Sequence, residues 1–329
     1  MDKKKWLFPA AMAFCLGAAV LSLLLGAVRL SPNSLWQAFL EGPNSTAGYI
    51  FWYARLPRTL ACLLSGAALA VSGAVIQGVL NNSLASPSII GVNAGAGLAV
   101  TACCALGLLS GWVIALSAFA GAMISVLLVV FTAEKTGASR TTVILGGVAV
   151  NSFLNALSEG LTTLVPDAGV LSGDFRVGGF SSVVPLRLMP AGLLICIALL
   201  VILTLHNELD VLALGKETAR SLGMHVKKTR TLLLVLAAML AGASVSFAGL
   251  LGFVGLMVPH AIRNLVGSEA RKLLPLCAIG GAGFVTACDT AARTVFSPYE
   301  LPVGILLSVL GGPFFLGLLL KRKGGRSHA

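Results

Sequence analysis

The side chains best suited to chemistry in this sequence are three arginines, Arg55, Arg58 and Arg293. Arg55 and Arg58 flank a Leu-Pro pair at the start of one apolar run, and Arg293 follows another such run. A planar guanidinium group pairs with carboxylates through parallel hydrogen bonds, so its chemistry is recognition rather than bond making. Two interpretations fit: the arginines bind carboxylates of a protein that docks on this side, or they extend into lipid headgroups.

A second informative stretch, residues 241–267, is apolar enough for a membrane, yet it contains five glycines and Pro259. It ends in a polar group made of His260, Arg263 and Asn264. Glycines let helix backbones approach closely, and proline interrupts a helix where surrounding protein can satisfy the freed backbone groups. The stretch is therefore predicted to pack inside a helix bundle, close to whatever that bundle handles.

Residues for catalysis or metal binding are not grouped in this sequence. It contains no Walker A motif for nucleotide phosphates, no Ser/His/Asp arrangement and no CxxC pair. The seven cysteines fall mostly in apolar runs, where cysteine acts as a small packing residue. The chain is therefore predicted to have no catalytic residues, no metal site and no directly bound cofactor.

The elements that must position these residues are membrane-spanning helices. Hydrophobic residues make up 57% of the 329 residues and charged residues 11%, with a mean hydropathy of +0.94, whereas soluble domains carry about 25% charged residues. Apolar runs long enough to cross about 30 Å of hydrocarbon recur along the whole length. The sequence predicts an all-α integral membrane protein, a single domain over residues 1–329, with about ten spans at 6–28, 58–80, 90–108, 112–132, 142–163, 188–206, 231–249, 250–266, 273–291 and 303–320.

Charge placement predicts the orientation of these spans. With the N-terminus inside, most of the 23 Lys and Arg residues fall in inner segments, as the positive-inside rule requires, and both termini lie inside. The basic residues 3–5 could open a signal peptide, but the apolar run after them, about 22 residues, is longer than a signal core, so a retained first helix is favoured. The net charge of +11 reports topology and not nucleic-acid binding, because the basic residues lie in short loops.

Residues 207–230 form the longest polar segment on the predicted inner side. Apolar residues recur in this segment at broken helical spacing, and Gly215 and Gly223 interrupt it. The pattern predicts two short helices on the inner surface that present an apolar side to a partner protein. An ordinary solvated loop is the alternative, although such a loop needs no apolar stripe.

Ionisable residues are almost absent from the predicted spans. Glu159 and Asp289 are the exceptions, and both lie near predicted outer ends. Because ion-coupled transporters place such groups at mid-membrane, an external energy source is favoured over an ion-coupled secondary transporter. A faint repeat, GAALAVSG at 66–73 and GASVSFAG at 242–249, fits an inverted repeat of the transporter type.

The motifs of the chain, taken in order, resemble the FecCD-type permeases, the membrane subunits of ABC importers for iron–siderophore complexes, haem and cobalamin. The resemblance is carried by RLPR at 55–58, GAALAVSG at 66–73, NNSLASPSIIGVNAGAG at 81–97, LDVLALGKETARSLGM at 209–224, GFVGLMVPHAIRNLVG at 252–267 and ELPVGILLSVLGGPFFLGLL at 300–319. One departure is Ser83, which stands where the family's turn has its first proline, and this loss is expected to loosen the turn.

This resemblance implies the type II ABC importer permease architecture, with ten spans, in the cell (cytoplasmic) membrane. It implies a second permease subunit, often an identical copy, together with two cytoplasmic ATP-binding subunits and an extracytoplasmic substrate-binding protein. ATP would be used by the partner subunits. The expected cargo is an iron chelate of the siderophore type, with haem and cobalamin as the alternatives.

The resemblance also implies roles for particular residues. Arg55, Arg58 and Arg293 match positions that pair with glutamates of the binding protein. The positions that dock on the ATPase are matched by Gly215, Ala219, Leu222 and Gly223. The cargo pathway would run along the subunit interface, and its candidates are Gly91, Asn93, Ala94, Gly95, Gly252 and Gly255, with plain helix packing as the alternative.

Overall fold

Helices account for the regular structure of this chain in the computed structural model, which describes residues 6–26, 31–135, 140–295, 297 and 299–324; these ranges contain no strand. The helices are α1 (Leu7–Leu24), α2 (Pro32–Glu41), α3 (Thr46–Tyr49), α4 (Leu56–Leu80), α5 (Val92–Ala105), α6 (Gly111–Lys135), α7 (Arg140–Leu164), α8 (Pro166–Leu171), α9 (Gly173–Val177), α10 (Pro185–Thr204), α11 (His206–Ala213), α12 (Lys216–Ser221), α13 (Val226–Ala248), α14 (Val254–Val266), α15 (Ala270–Thr294) and α16 (Val303–Gly324). A 3-10 turn at Gly42–Asn44 and a π-helical segment at Ile50–Arg55 lie between α2 and α4. The basic residues 3–5, which bear on orientation, lie outside the described residues.

Seven of the described helices are long and apolar enough to cross a membrane, which confirms the predicted all-α membrane class. The predicted spans 90–108, 250–266 and 303–320 contain α5, α14 and α16. α5 has 14 residues and α14 has 13, which gives each a length of about 20 Å, less than the roughly 30 Å of hydrocarbon. The apolar part of α16, Val303–Leu318, is also short. The number of ten crossings therefore stays a prediction.

Left-handed backbone conformations occur where α5 begins and where α13 ends. Gly91, just before α5, has a φ of +101°, and Gly249, just after α13, has a φ of +69°. Glycine enters this region without the steric cost of a Cβ atom. The chain leaves the helix from Gly249 to Phe253, so α13 and α14 separate where the sequence predicts the break between the seventh and eighth spans.

α4 lies at the centre of the bundle and is packed against α13, α14 and α15. It meets α15 at Gly66 and Gly281, and it meets α14 at Gly73 and Gly255. At each of these four glycines, an added Cβ atom would overlap the backbone of the facing helix. The absence of side chains is therefore what allows these helix backbones to touch.

α4 and α13 run antiparallel and share two buried hydrogen bonds. The hydroxyls of Ser65 and Ser244 are 2.6 Å apart, and the Ser72 hydroxyl donates to the Ala237 carbonyl at 2.6 Å. Each hydroxyl is thereby satisfied in a region from which water is excluded. The two copies of the faint repeat lie on these two facing helices, and their common origin stays a prediction.

α1, α7 and α10 lie at the periphery, because most of their apolar side chains are exposed in this single chain. α7 contacts the rest of the bundle mainly through α5, α6 and α8. An apolar exposed face on a membrane helix suits either lipid or another protein. These three helices are thus the part of the described structure most available to further subunits.

Candidate functional site

The three predicted arginines meet in one cluster at the predicted outer end of the bundle. Its centre is Asp289 of α15, whose side chain is fully buried. Arg58 Nε lies 2.9 Å from Asp289 Oδ2, and Arg58 Nη2 lies 3.0 Å from Oδ1, so the pair is bidentate. Arg58 Nη1 donates to Glu300 Oε2 at 2.7 Å. Two helices that lie far apart in sequence are joined here by charge-assisted hydrogen bonds.

The other two arginines bind the end of α1 rather than facing outward. Arg293 Nη2 donates to the Ser22 carbonyl at 2.6 Å and contacts the Ser22 hydroxyl at 2.7 Å. Arg55 Nη1 donates to the Leu23 carbonyl. The last carbonyls of a helix have no partner within the helix and carry partial negative charge, so cationic donors stabilise them.

The three arginines differ in how far they are exposed to solvent in this cluster. Arg55 and Arg293 are 4% and 3% exposed to solvent. The side chain of Arg58 is 13% exposed, and that of Glu300 is 37% exposed. The accessible part of the cluster in this conformation is therefore the Arg58–Glu300 pair. The sequence signalled Asp289 as an unusual acid in a span, but nothing in it identified Arg58 as the partner, or Ser22 and Glu300 as members of the cluster.

The predicted inner segment contains two short helices, as expected, namely α11 and α12. Leu209 and Leu212 of α11 are buried, and the Leu209 side chain lies over Gly78 of α4. The Asp210 carboxylate accepts a hydrogen bond from the backbone N–H of Ala270, the first residue of α15, at 2.9 Å. α11 is therefore attached to both α4 and α15.

α12 presents only some of its predicted docking residues. Leu222, at 63% exposure, and Leu214, at 64%, are open apolar side chains, whereas Ala219 is fully buried. Gly215 precedes α12 with a φ of +115°, and Gly223 follows it with a φ of +81°. The N–H groups of Gly223 and Met224 bond to the Arg220 and Ala219 carbonyls, a glycine-dependent helix ending. The two glycines thus shape the segment, and Leu222 is an exposed apolar side chain at the end of α12.

Four of the six pathway candidates are buried in contacts within the chain. Gly91 accepts a hydrogen bond from the Ser125 hydroxyl at 2.7 Å, and Gly95 meets Gly121 of α6 so closely that an added Cβ would overlap backbone. Ala94 is also buried, and Gly255 packs on α4. These four positions support close helix packing, the alternative that the sequence left open.

Asn93 and Gly252 remain only partly buried. The Asn93 amide donates to the Ser88 hydroxyl at 3.1 Å, and Gly252 has open space where a Cβ atom would be. Asn151 of α7, which the sequence did not single out, donates to the Ser88 and Ile89 carbonyls at 2.8 and 3.0 Å. The loop before α5 is therefore held by amide side chains, and the partly buried Asn93 gives it a neutral polar surface.

The turn that lacks the family's first proline has its own stabilising contact. The Asn82 side-chain oxygen accepts a hydrogen bond from the Leu84 backbone N–H at 3.0 Å, and Asn81 adopts a left-handed conformation with a φ of +47°. Asparagine tolerates that region and fixes such turns by bonding two residues ahead. The expected loosening at Ser83 is thus offset by a local hydrogen bond.

Two hydrogen bonds through Gln77, here called the polar relay, lie beneath this turn. The Gln77 amide donates to the Gly255 carbonyl at 3.2 Å, and Arg263 Nη1 donates to Gln77 Oε1 at 2.7 Å. Gln77 and Arg263 also line a cavity of about 240 Å³ beside α11. The relay ties α14 to α4 by hydrogen bonds as well as by glycine contacts. Among the described residues, no group of three or more His, Cys, Asp or Glu side chains could hold a metal ion.

Comparison with known proteins places this arrangement among transport proteins. The sequence profile of the FecCD transport family matches residues 14–321. The chain is 36% identical to the hemin transport system permease protein HmuU of Yersinia pestis, over 92% of each chain, and 36% identical to the Fe(3+)-citrate import system permease protein YfmE of Bacillus subtilis, over 92% of this chain and 90% of that one. It is 41% identical to the cobalamin import system permease protein BtuC of Halobacterium salinarum, over 86% of this chain and 76% of that one.

A solved structure supports the same fold. A metal-chelate type ABC transporter in an inward-facing conformation superimposes with a TM-score of 0.86 at 29% identity, over 97% of this chain and 99% of that one. PsaBC from Streptococcus pneumoniae superimposes with a TM-score of 0.58 at 19% identity and shows similarity of fold alone.

Proposed function

This chain belongs to the FecCD transport family, and on that premise we propose that it carries an iron chelate into the cytoplasm as the permease subunit of an ABC importer. The single observation that carries this proposal is the family match over residues 14–321. The chain is a membrane transport component, and ATP hydrolysis is assigned to a separate partner. Residues 1–329 act as one permease domain in this proposal.

The cargo is proposed to be a bulky metal complex. The three relatives described above are named for hemin, Fe(3+)-citrate and cobalamin, all of which are metal complexes. The relatives named for hemin and Fe(3+)-citrate support an iron chelate of the siderophore type. Haem and cobalamin are the alternatives, and the cobalamin relative has the highest identity of the three.

The energy source is proposed to be a pair of cytoplasmic ATP-binding subunits that dock on α11 and α12. The exposed side chains Leu214 and Leu222 would enter an apolar cleft of that partner. α11 would pass its displacement to α4 and α15 through Leu209 and Asp210. An ion-coupled mechanism is disfavoured, because the buried acid Asp289 is already paired with Arg58 near the predicted outer end.

A second permease copy is proposed to pack against the exposed face of α7, with the cargo pathway between the two subunits. The neutral polar surface at Asn93, together with Gly252, suits this pathway, because a charged wall would hold a large chelate too tightly for release. Gly91, Ala94, Gly95 and Gly255 would act indirectly, by setting the positions of the helices that form the wall.

An extracytoplasmic binding protein is proposed to deliver the cargo to the predicted outer end. Arg58 is the best placed of the three arginines to meet a carboxylate of that protein, because its side chain is 13% exposed whereas Arg55 and Arg293 are almost fully buried. Arg55 and Arg293 would support it from below by holding the end of α1.

Uptake by proteoliposomes tests the function directly. The permease, reconstituted with its ATPase and binding protein, is supplied in separate arms with a ferric hydroxamate, haem or cyanocobalamin. ATP-dependent uptake of the ferric chelate is expected, and an ATPase partner lacking its Walker A lysine is the control. Uptake of none of the three, or uptake driven by an ion gradient without ATP, would overturn the proposal; selective uptake of haem or cobalamin would overturn only the cargo.

A further inference from the structure

The guanidinium group of Arg58 is divided between two carboxylates of different accessibility. Asp289 occupies the edge formed by Nε and Nη2, at 2.9 and 3.0 Å. Glu300 binds Nη1 at 2.7 Å. Arginine has a second bidentate edge, formed by its two terminal nitrogens. Glu300 therefore occupies half of the only edge that an outside carboxylate could use.

An outside carboxylate could not displace Asp289 and Glu300 from Arg58 equally easily. Asp289 is fully buried, whereas 37% of the Glu300 side chain is exposed. The backbone next to Glu300 is fixed, because the Leu301 N–H donates to the Ala292 carbonyl at 3.2 Å. A rotation of the Glu300 side chain is thus enough to free Arg58 Nη1, and the loop itself need not move.

Arg58 carries one positive charge and faces two carboxylates, those of Asp289 and Glu300. With Glu300 in place, the accessible edge of Arg58 is locally neutralised. An approaching carboxylate must then either compete with Glu300 or face its negative charge.

We propose that Glu300 sets the affinity for the binding protein. Its carboxylate occupies Arg58 in place of a docking carboxylate, and the binding protein displaces Glu300 when it docks. This inference rests on the proposed role of Arg58 in docking. Docking then exchanges one ion pair for another, so the gain in binding free energy is small, and Glu300 speeds release by rebinding Arg58. A transporter that must release its binding protein after each delivery gains turnover from such an exchange.

The test measures affinity between the reconstituted permease–ATPase complex in nanodiscs and the binding protein that stimulates its ATPase. Glu300→Gln removes the competing charge and is expected to tighten binding about two- to fivefold, the range for exposed ion pairs. Asp167→Asn is the matched control, since Asp167 is an exposed acid on the predicted outer side that makes no ion pair with the described residues, and its loss should leave affinity unchanged. An equal gain in both variants would reduce the effect to overall charge and overturn the proposal.

A double-mutant cycle with Arg58→Lys separates this inference from the docking role itself. Lysine keeps a positive charge beside buried Asp289 but lacks the second bidentate edge. Weaker binding of Arg58→Lys, with no further effect of Glu300→Gln in that background, is the expected result. Weaker binding of Arg58→Lys together with unchanged or weaker binding of Glu300→Gln would overturn the exchange while leaving docking intact. If neither variant changes affinity, docking at Arg58 and the exchange both fail.

Discussion

Asp210 in α11 caps Ala270, the first residue of α15, through a hydrogen bond of 2.9 Å from the backbone N–H to the carboxylate. The neighbouring Leu209 lies over Gly78 of α4. At their other ends, α4 and α15 are joined by Arg58 and Asp289. The two helices are thus tied to each other near the predicted outer end and to the α11 segment near the predicted inner end.

Asp210→Ala is expected to lower transport while leaving the ATPase rate of the reconstituted complex nearly unchanged. The reason is the loss of the cap on α15, which costs about 1 kcal/mol and loosens the link between α11 and that helix. Asp210→Asn is the matched control, because asparagine caps helices about as well as aspartate. Paired uptake and phosphate-release assays measure both rates; equal losses in the two variants would contradict a capping role.

Leu222→Asp is expected to abolish ATPase stimulation by the permease without lowering its melting temperature. Its side chain is 63% exposed, so a carboxylate there disturbs the partner contact and not the bundle. Ala219→Asp is expected to lower the melting temperature, because a charge placed at this fully buried position costs folding free energy. Thermal unfolding and copurification of the ATPase distinguish the two effects, with Leu222→Met as the conservative control.

Gly281→Leu is expected to unfold or severely destabilise the permease, by about 3 kcal/mol or more, because the new side chain would overlap the α4 backbone at Gly66. Gly17→Leu in α1 is the matched control, since no atom lies within 4 Å of the added Cβ position. Size-exclusion profiles and thermal unfolding in detergent report the difference. Similar melting temperatures for both variants would show that the α4–α15 contact opens at little cost.

Ser65→Ala is expected to destabilise the protein more in the wild-type background than in one that already carries Ser244→Ala. The two hydroxyls are 2.6 Å apart and buried, so either single change leaves one hydroxyl without this partner. A coupling of about 0.6 kcal/mol is expected, the average for hydrogen bonds between membrane helices. Denaturation of the four proteins of the cycle measures it, and strictly additive effects would argue against the bond.

Arg293→Gln is expected to lower stability by about 1.5–3 kcal/mol, the range for hydrogen bonds to charged groups. Arg293 is 3% exposed and binds Ser22 of α1, so its loss frees that helix end. Arg220→Gln, at an exposed position of α12, is the control and should be neutral. Reduced uptake by Arg293 variants with an unchanged melting temperature would instead point to a direct docking role.

The sequence predicted the elements better than their lengths. Hydropathy located a helix within each of the ten apolar runs, and the apolar stripe located α11 and α12. It did not reveal that the helical parts of two runs, α5 and α14, have only 14 and 13 residues, because a hydropathy window counts apolar residues whatever their backbone conformation. The positive φ values of Gly91, just before α5, and of Phe253, just before α14, depend on packing that a window does not contain.

The sequence also could not show which side chains contact each other in the folded chain. Arg58 and Asp289 are 231 residues apart, and without related sequences nothing links them before the fold is formed. The inward orientation of Ala219 was equally hidden, because α12 has six residues and too few turns to show a periodic face. Residue type indicated that the arginines bind carboxylates. The packing of α1, α4 and α15 showed that Arg58 pairs with Asp289 and Glu300, whereas Arg55 and Arg293 bind backbone carbonyls at the end of α1.

The central position of α4 also has a consequence for biosynthesis. α4 ends at residue 80 and its partner α13 begins at residue 226, so 145 residues separate them. At about 5–20 residues per second, the ribosome needs roughly 7–30 s to reach α13 after completing α4. During that interval, Ser65, Ser72 and Gln77 lack the partners they bind in the finished protein. Insertion of α4 and its final packing are therefore expected to be separate events, and a nascent chain arrested before α13 would hold this helix in lipid or against the insertion machinery without these partners.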